Sequence, residues 1–140
     1  MRIACAALVL LALTACSKPA PEADTSSAAP IAPPPVNDDW PGKYEGDLMV
    51  RVSGLPNSHK VVLVAATTDG CTGDIGLAGG EPAKDISPTE LGLTLKPDDK
   101  TTCTISIKKD GDKLTVSESG ICTAYHGLAC SFNGSAVRLK

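Results

Sequence analysis

A chain of 140 residues has room for one domain of ordinary size. Its formal charge is -3, and four of its acids fall in a proline-rich stretch, so the folded part is close to neutral and lacks the basic field that nucleic-acid binding requires. With one Trp, one Phe and two Tyr, the core must be built from Val, Leu, Ile and Ala.

The N-terminus reads as an export signal. Arg2 supplies a positive start, and Ile3 to Ala12 is an unbroken apolar or small-residue run. That run is shorter than the roughly 20 residues a permanent membrane-spanning helix needs. It ends in Leu13-Thr14-Ala15-Cys16, which resembles the bacterial lipobox: an aliphatic residue, two small residues and a cysteine. The resemblance implies a bacterial lipoprotein, with 1–15 removed as a signal peptide and Cys16 carrying fatty-acyl chains such as palmitate. Two or three such chains anchor a protein stably to a membrane. Ser17, rather than Asp, follows the cysteine, a pattern similar to that of enteric lipoproteins exported to the outer membrane. The expected location is therefore the cell envelope, on the outer membrane, facing the periplasm or the surface.

Residues 16–39 form the expected tether. Ser17 to Asp39 holds six of the eleven prolines, including Pro33-Pro34-Pro35, among Ala, Ser and acids. Such a composition cannot bury enough apolar surface to fold and would reach roughly 70 Å if fully polyproline-like.

The domain is expected over 40–140 and is all-β. Tyr44, Gly46, Leu48, Val50 and Val52 alternate with polar or exposed-type residues, which predicts one half-buried strand. Gly54, Pro56 and Asn57 mark a turn. The continuous apolar run Val61 to Ala66 predicts a strand covered on both faces. Asp69-Gly70 turns the chain into Cys71, Gly73, Ile75 and Leu77, spaced by two. Ser87-Pro88-Thr89-Glu90 has the form of a capping box and allows one helical turn at most. Leu91, Leu93 and Leu95 then alternate as a strand, and Lys96 to Lys100 is a turn. Cys103, Ile105 and Ile107 form an inward face, followed by an Asp110-Gly111 hairpin turn into Leu114 and Val116. Leu128 to Leu139 returns as a last strand, with Asn133-Gly134 as either a bulge or a second turn. About seven short strands predict a small antiparallel barrel or sandwich.

Six cysteines divide by fate. Cys5 leaves with the signal and Cys16 takes the lipid. The remaining four, in an oxidising compartment, predict two disulfides. Shared core parity favours Cys71–Cys103, and the short terminal loop favours Cys122–Cys130. An alternative reading has Cys122, His126 and Cys130 ligating zinc, but a structural site wants a fourth ligand. No metal and no cofactor is expected.

Two further patches carry resemblances. Trp40-Pro41-Gly42-Lys43-Tyr44-Glu45-Gly46 resembles the opening strand of small envelope β-barrel lipoproteins of the copper-homeostasis and stress-sensing type. Those proteins follow it with a cysteine pair; this chain has Met49 to Ser53 there, so the metal-sensing role does not carry over. Cys122 to Gly134 is similar to the closing segment of secreted bacterial β domains, some in proteins bearing lysozyme-inhibitor-like modules.

The sequence carries no nucleophile elbow, phosphate loop, paired-histidine metal motif or dinucleotide fingerprint, and no enzymatic activity is expected. Asp98-Asp99 and Asp110-Gly111-Asp112 read as solvated turns, since a calcium cage needs more oxygen ligands. The reading that remains is a lipid-anchored envelope binding module, an inhibitor of a cell-wall hydrolase or another protective lipoprotein. The alternative is a structural or assembly lipoprotein docking on an envelope protein. An inhibitor should present a disulfide-pinned loop, and Tyr125 and His126 in Thr123 to Ala129 are the expected contact residues. An assembly factor should instead expose an apolar patch. The partner in either case is an envelope or secreted protein.

Overall fold

A computed structural model describes residues 38–66 and 70–140. The signal peptide, Cys16, the tether through residue 37 and Asp69 of the expected turn lie outside the described residues. Ten strands are present and no helix is found among the described residues. They are β1 (Gly42–Gly46), β2 (Leu48–Ser53), β3 (Lys60–Ala66), β4 (Thr72–Ile75), β5 (Glu81–Pro82), β6 (Lys84–Ser87), β7 (Glu90–Leu95), β8 (Cys103–Asp110), β9 (Lys113–Gly120) and β10 (Gly134–Arg138). All pairings are antiparallel, in the order β4-β3-β2-β1-β10-β9-β8-β7-β6.

The sheet curls into a half-barrel. β5 pairs with β3, and one residue later the same segment continues as β6 on β7. Residues 81–87 thus bridge the two ends of the strand order, and Ala83 between them donates its N–H to the His59 carbonyl at 2.9 Å. Alternate residues of the long strands fill the interior. Tyr44, Val50, Leu63, Leu93, Ile105, Ile107, Leu114 and Phe132 are fully buried, and the small number of aromatics explains why aliphatics dominate.

The strand count exceeds the seven expected because apolar alternation does not register every reversal. The single strand expected from Tyr44 to Val52 is a hairpin, with β1 and β2 reversing around Asp47 and Tyr44 opposite Val50. Gly46 and Leu48 flank the reversal, so parity survives it and Tyr44, Leu48, Val50 and Val52 still bury on one face. The Asp47 carboxylate accepts the Ser135 backbone N–H and hydroxyl at 2.9 and 3.0 Å, tying the reversal to β10. The Ser87–Glu90 segment is the turn between β6 and β7, and Ser87 Oγ accepts the Thr89 N–H. The run Val61 to Ala66 is not covered on both faces. Val61, Leu63 and Ala65 are buried, whereas Val62 and Val64 are half-exposed on the convex side.

Strand register defines two ends. Gly42, Ser53, Lys60, Ser87, Glu90, Asp110, Lys113 and Arg138 lie at the end where the chain enters, here the entry end. Asp47, Ala66, Thr72, Leu95, Cys103, Gly120 and Gly134 lie at the far end.

The disulfides are Cys71–Cys130 and Cys103–Cys122, which corrects the expected Cys71–Cys103 and Cys122–Cys130 pairs. Parity placed Cys71 on a buried strand face, but Cys71 precedes β4 and is half-exposed at the far end. Cys103 sits opposite Gly120 across β8 and β9, so Cys122, two residues on, reaches it directly. Cys130 meets Cys71 because the segment before it lies along β4, with His126 bridged to Gly73.

Candidate functional site

Residues 121–133 run from β9 to β10 across the far end and are fixed at several points. Ile121 N–H bonds Thr102 O at 2.9 Å, and Cys122 is buried in its disulfide. A tight turn follows, with Tyr125 N–H donating to Cys122 O at 2.9 Å. Tyr125 O then accepts Asp74 N–H at 3.0 Å, and the Tyr125 side chain packs against the core, half-buried.

His126 is 8% exposed. Its Nδ1–H donates to Gly127 O at 2.8 Å, Nε2 meets Glu118 Oε2 at 3.0 Å, and its ring stands edge-on to Phe132 at 5.0 Å. The same Glu118 oxygen accepts the Phe132 N–H at 3.1 Å. Of the two expected contact residues, His126 is buried and Tyr125 is half-buried. Burying the His126 imidazole against a carboxylate and a ring satisfies its polar atoms, and Tyr125 beside it packs partly against the core.

The exposed positions of the loop are Thr123, Ala124, Gly127, Leu128 and Ala129. Leu128 is 92% exposed, the most exposed large apolar side chain of the described residues. The tip is closed by Cys130 N–H to Gly127 O at 2.9 Å and pinned by Cys71–Cys130 on one flank and His126–Glu118 on the other. Together with Gly70, Thr72 and Ser131 it borders a shallow open depression. The sequence gives no separate cue for Leu128, because an apolar residue near a cysteine is read first as core.

The zinc reading of Cys122, His126 and Cys130 is replaced by disulfides to two different partners and by the His126–Glu118 bond. No cluster of three or more metal-type ligands occurs among the described residues.

The entry end holds a second polar cluster that sequence reasoning missed. His59 is 1% exposed, and its two ring nitrogens face Asp85 Oδ1 at 2.8 Å and Asp38 Oδ2 at 3.0 Å. Burial alone would lower its pKa, but the hydrogen bonds and charges of Asp85 and Asp38 outweigh that, and the pKa is raised above 6.5. Burial likewise opposes ionisation of Asp85, yet the His59 bond and the Asn57 N–H hold its pKa below 3.8. With both nitrogens engaged, this histidine clamps Asp38 and Asp85 together. Around it, Trp40 Nε1 donates to Pro88 O at 3.2 Å, Lys109 pairs with Asp39, and Arg138 Nη1 donates to Pro41 O at 2.8 Å. Asp38 and Asp39, read from sequence as tether, are thus bonded into the domain.

A third feature is apolar. On the convex face of β2 and β3, Met49 (54% exposed), Val62, Val64 and Leu77 (60% exposed) line a shallow depression rimmed by Lys43, Glu45 and Arg51. Leu77 was expected to continue an inward face; a reversal at Gly76, with φ 74°, sends it outward.

No protein-family model, curated protein or solved structure matches the chain.

Proposed function

We propose that the protein is a lipid-anchored binding module of a bacterial cell envelope, recognising an envelope or secreted protein through its far end. A hydrolase acting on the cell wall, held in check by this contact, is the partner class favoured. The observation that carries the reading is the placement of Leu128: a bare apolar side chain on a loop fixed by a disulfide. A loop already held in one conformation loses little entropy on binding, and an exposed aliphatic tip flanked by small residues suits insertion into a cleft. Outer-membrane attachment through Cys16 belongs to the same proposal and rests on the lipobox; the two disulfides are consistent with an exported domain.

The test is a pair of variants. Leu128→Asp should keep wild-type thermal stability and lose the crosslinked partner recovered from intact envelopes. Cys16→Ala should release the protein from the membrane fraction. Unchanged capture by Leu128→Asp removes the far end as the binding surface, and unchanged fractionation of Cys16→Ala removes the anchor.

A second reading is supported by the convex depression. Met49, Val62, Val64 and Leu77 form the apolar patch that an assembly lipoprotein would dock with, and Met49→Lys would then abolish capture while Leu128→Asp leaves it intact.

A further inference from the structure

The two disulfides differ in one respect that bears on the loop. Cys103 and Cys122 are 0% and 3% exposed, enclosed between β8, β9 and the core. Cys71 and Cys130 are both half-exposed, and their bond borders the open depression under the loop tip. Gly127 lies beside the bond in the same depression. A Cβ at this position would lie 3.8 Å from Cys130 Sγ, an ordinary contact distance, so a side chain can be placed beside the sulfur here. Gly127 has an ordinary negative-φ backbone, so its lack of a side chain is not required by conformation.

We propose that Cys71–Cys130 is a site of thiol–disulfide exchange with a protein dithiol, and that its opening releases the Gly127–Ala129 tip. A thiolate of the dithiol attacks Cys130 Sγ. The Cys71–Cys130 bond breaks, and its electron pair leaves on Cys71 Sγ, which takes a proton from water. The second thiolate of the dithiol attacks its partner sulfur in the mixed disulfide and expels Cys130 Sγ, which is protonated in turn. Two electrons pass: the dithiol becomes a disulfide, and Cys71 and Cys130 become thiols. Access to the sulfur and the thiolate fraction of the attacker govern the rate of such exchange.

The release is local. His126 stays bonded to Glu118 and bridged to Gly73, Phe132 stays buried, and Cys103–Cys122 still closes β8 onto the start of the segment. Residues 127–131 lose their covalent link to Cys71 and retain the Cys130 N–H bond to Gly127 O. The exchange thus controls the tip on which the proposed partner contact rests, and it rests on that reading only for its biological consequence.

The experiment treats the folded domain with a purified thioredoxin-type dithiol protein, quenches with an alkylating reagent and maps the thiols by mass spectrometry. Cys71 and Cys130 should label together, at least about tenfold faster than Cys103 and Cys122, with the β circular dichroism retained. Gly127→Leu, checked for unchanged circular dichroism, should slow labelling of Cys71 and Cys130 severalfold and leave the other pair unaffected. Simultaneous opening of both disulfides, or prior opening of Cys103–Cys122, overturns the site. An unchanged rate in folded Gly127→Leu overturns the role of Gly127 as the approach to the sulfur. Because the readout is thiol labelling, its failure leaves the partner reading standing, and loss of that reading through Leu128→Asp leaves the exchange standing.

Discussion

His59 and Asp38 are joined through Nε2 and Oδ2 at 3.0 Å, which fixes the first described residue of the domain to the loop before β3. The bond makes stability depend on pH in a defined direction. The His59 pKa is raised in the folded state, so its contribution is complete below about 6.5 and is lost as the pH rises through the raised value. Asp85 is depressed below 3.8, so its contribution is complete above that value and is lost as the pH falls through the lowered one. Denaturant melts across the pH range should show greatest stability between 3.8 and 6.5. In His59→Gln the decline on the alkaline side should flatten. A stability that keeps rising from pH 6 to pH 8 contradicts the clamp.

His59→Ala should destabilise by about 2 kcal/mol, less than the roughly 3–5 kcal/mol of a fully buried pair because both carboxylates keep some solvent. For a domain near 100 residues, that lowers Tm by roughly 8–16 °C. Calorimetry of the variant at pH 6 gives the comparison.

His126→Ala and Tyr125→Ala should behave as stability variants. The first strips a hydrogen-bond partner from Glu118 and removes the ring edge-on to Phe132, a loss of about 2–3 kcal/mol. The second, on a half-buried ring packed against the core, should cost about 1–2 kcal/mol. Partner capture by the folded fraction should be retained in both. Wild-type stability together with lost capture would return Tyr125 and His126 to the contact surface.

Much of the core is legible in the alternation of Leu91, Leu93 and Leu95 and of Cys103, Ile105 and Ile107, because period two maps directly onto the buried face of a half-covered strand. The Asp47 reversal is not, since a turn that conserves parity leaves the pattern unbroken. The cysteine pairing fails for a related reason: parity says which face a side chain occupies and nothing about which strand lies beside it. Cys103 and Cys122 meet through the register of β8 and β9, which the sequence does not display. The His59 cluster draws its carboxylates from 21 and 26 residues away, so no local spacing marks it. Leu128 is hidden by the opposite effect, an apolar residue that the chain leaves outside.

Gly73 lies against the loop segment it pairs with. A Cβ there would collide with the His126 Cβ and stand 3.0 Å from Tyr125 O, so the bridge between β4 and residue 126 admits only glycine. Gly73→Ala should cost about 1–3 kcal/mol, with amide exchange accelerated at Asp74, whose N–H bonds Tyr125 O. Non-reducing peptide mapping of the same variant should still link Cys71 with Cys130 and Cys103 with Cys122. Protected exchange at Asp74 in Gly73→Ala would contradict the packing.

The far end is the proposed recognition surface. Its most direct test is a photo-crosslinking residue placed singly at Leu128, at Met49 on the convex face and at Leu55, 71% exposed at the entry end, in intact cells. A discrete crosslinked protein from position 128, absent from 49 and 55 and reduced when unlabelled domain is in excess, is the predicted result. Crosslinking from 49 or 55 with none from 128 would contradict it.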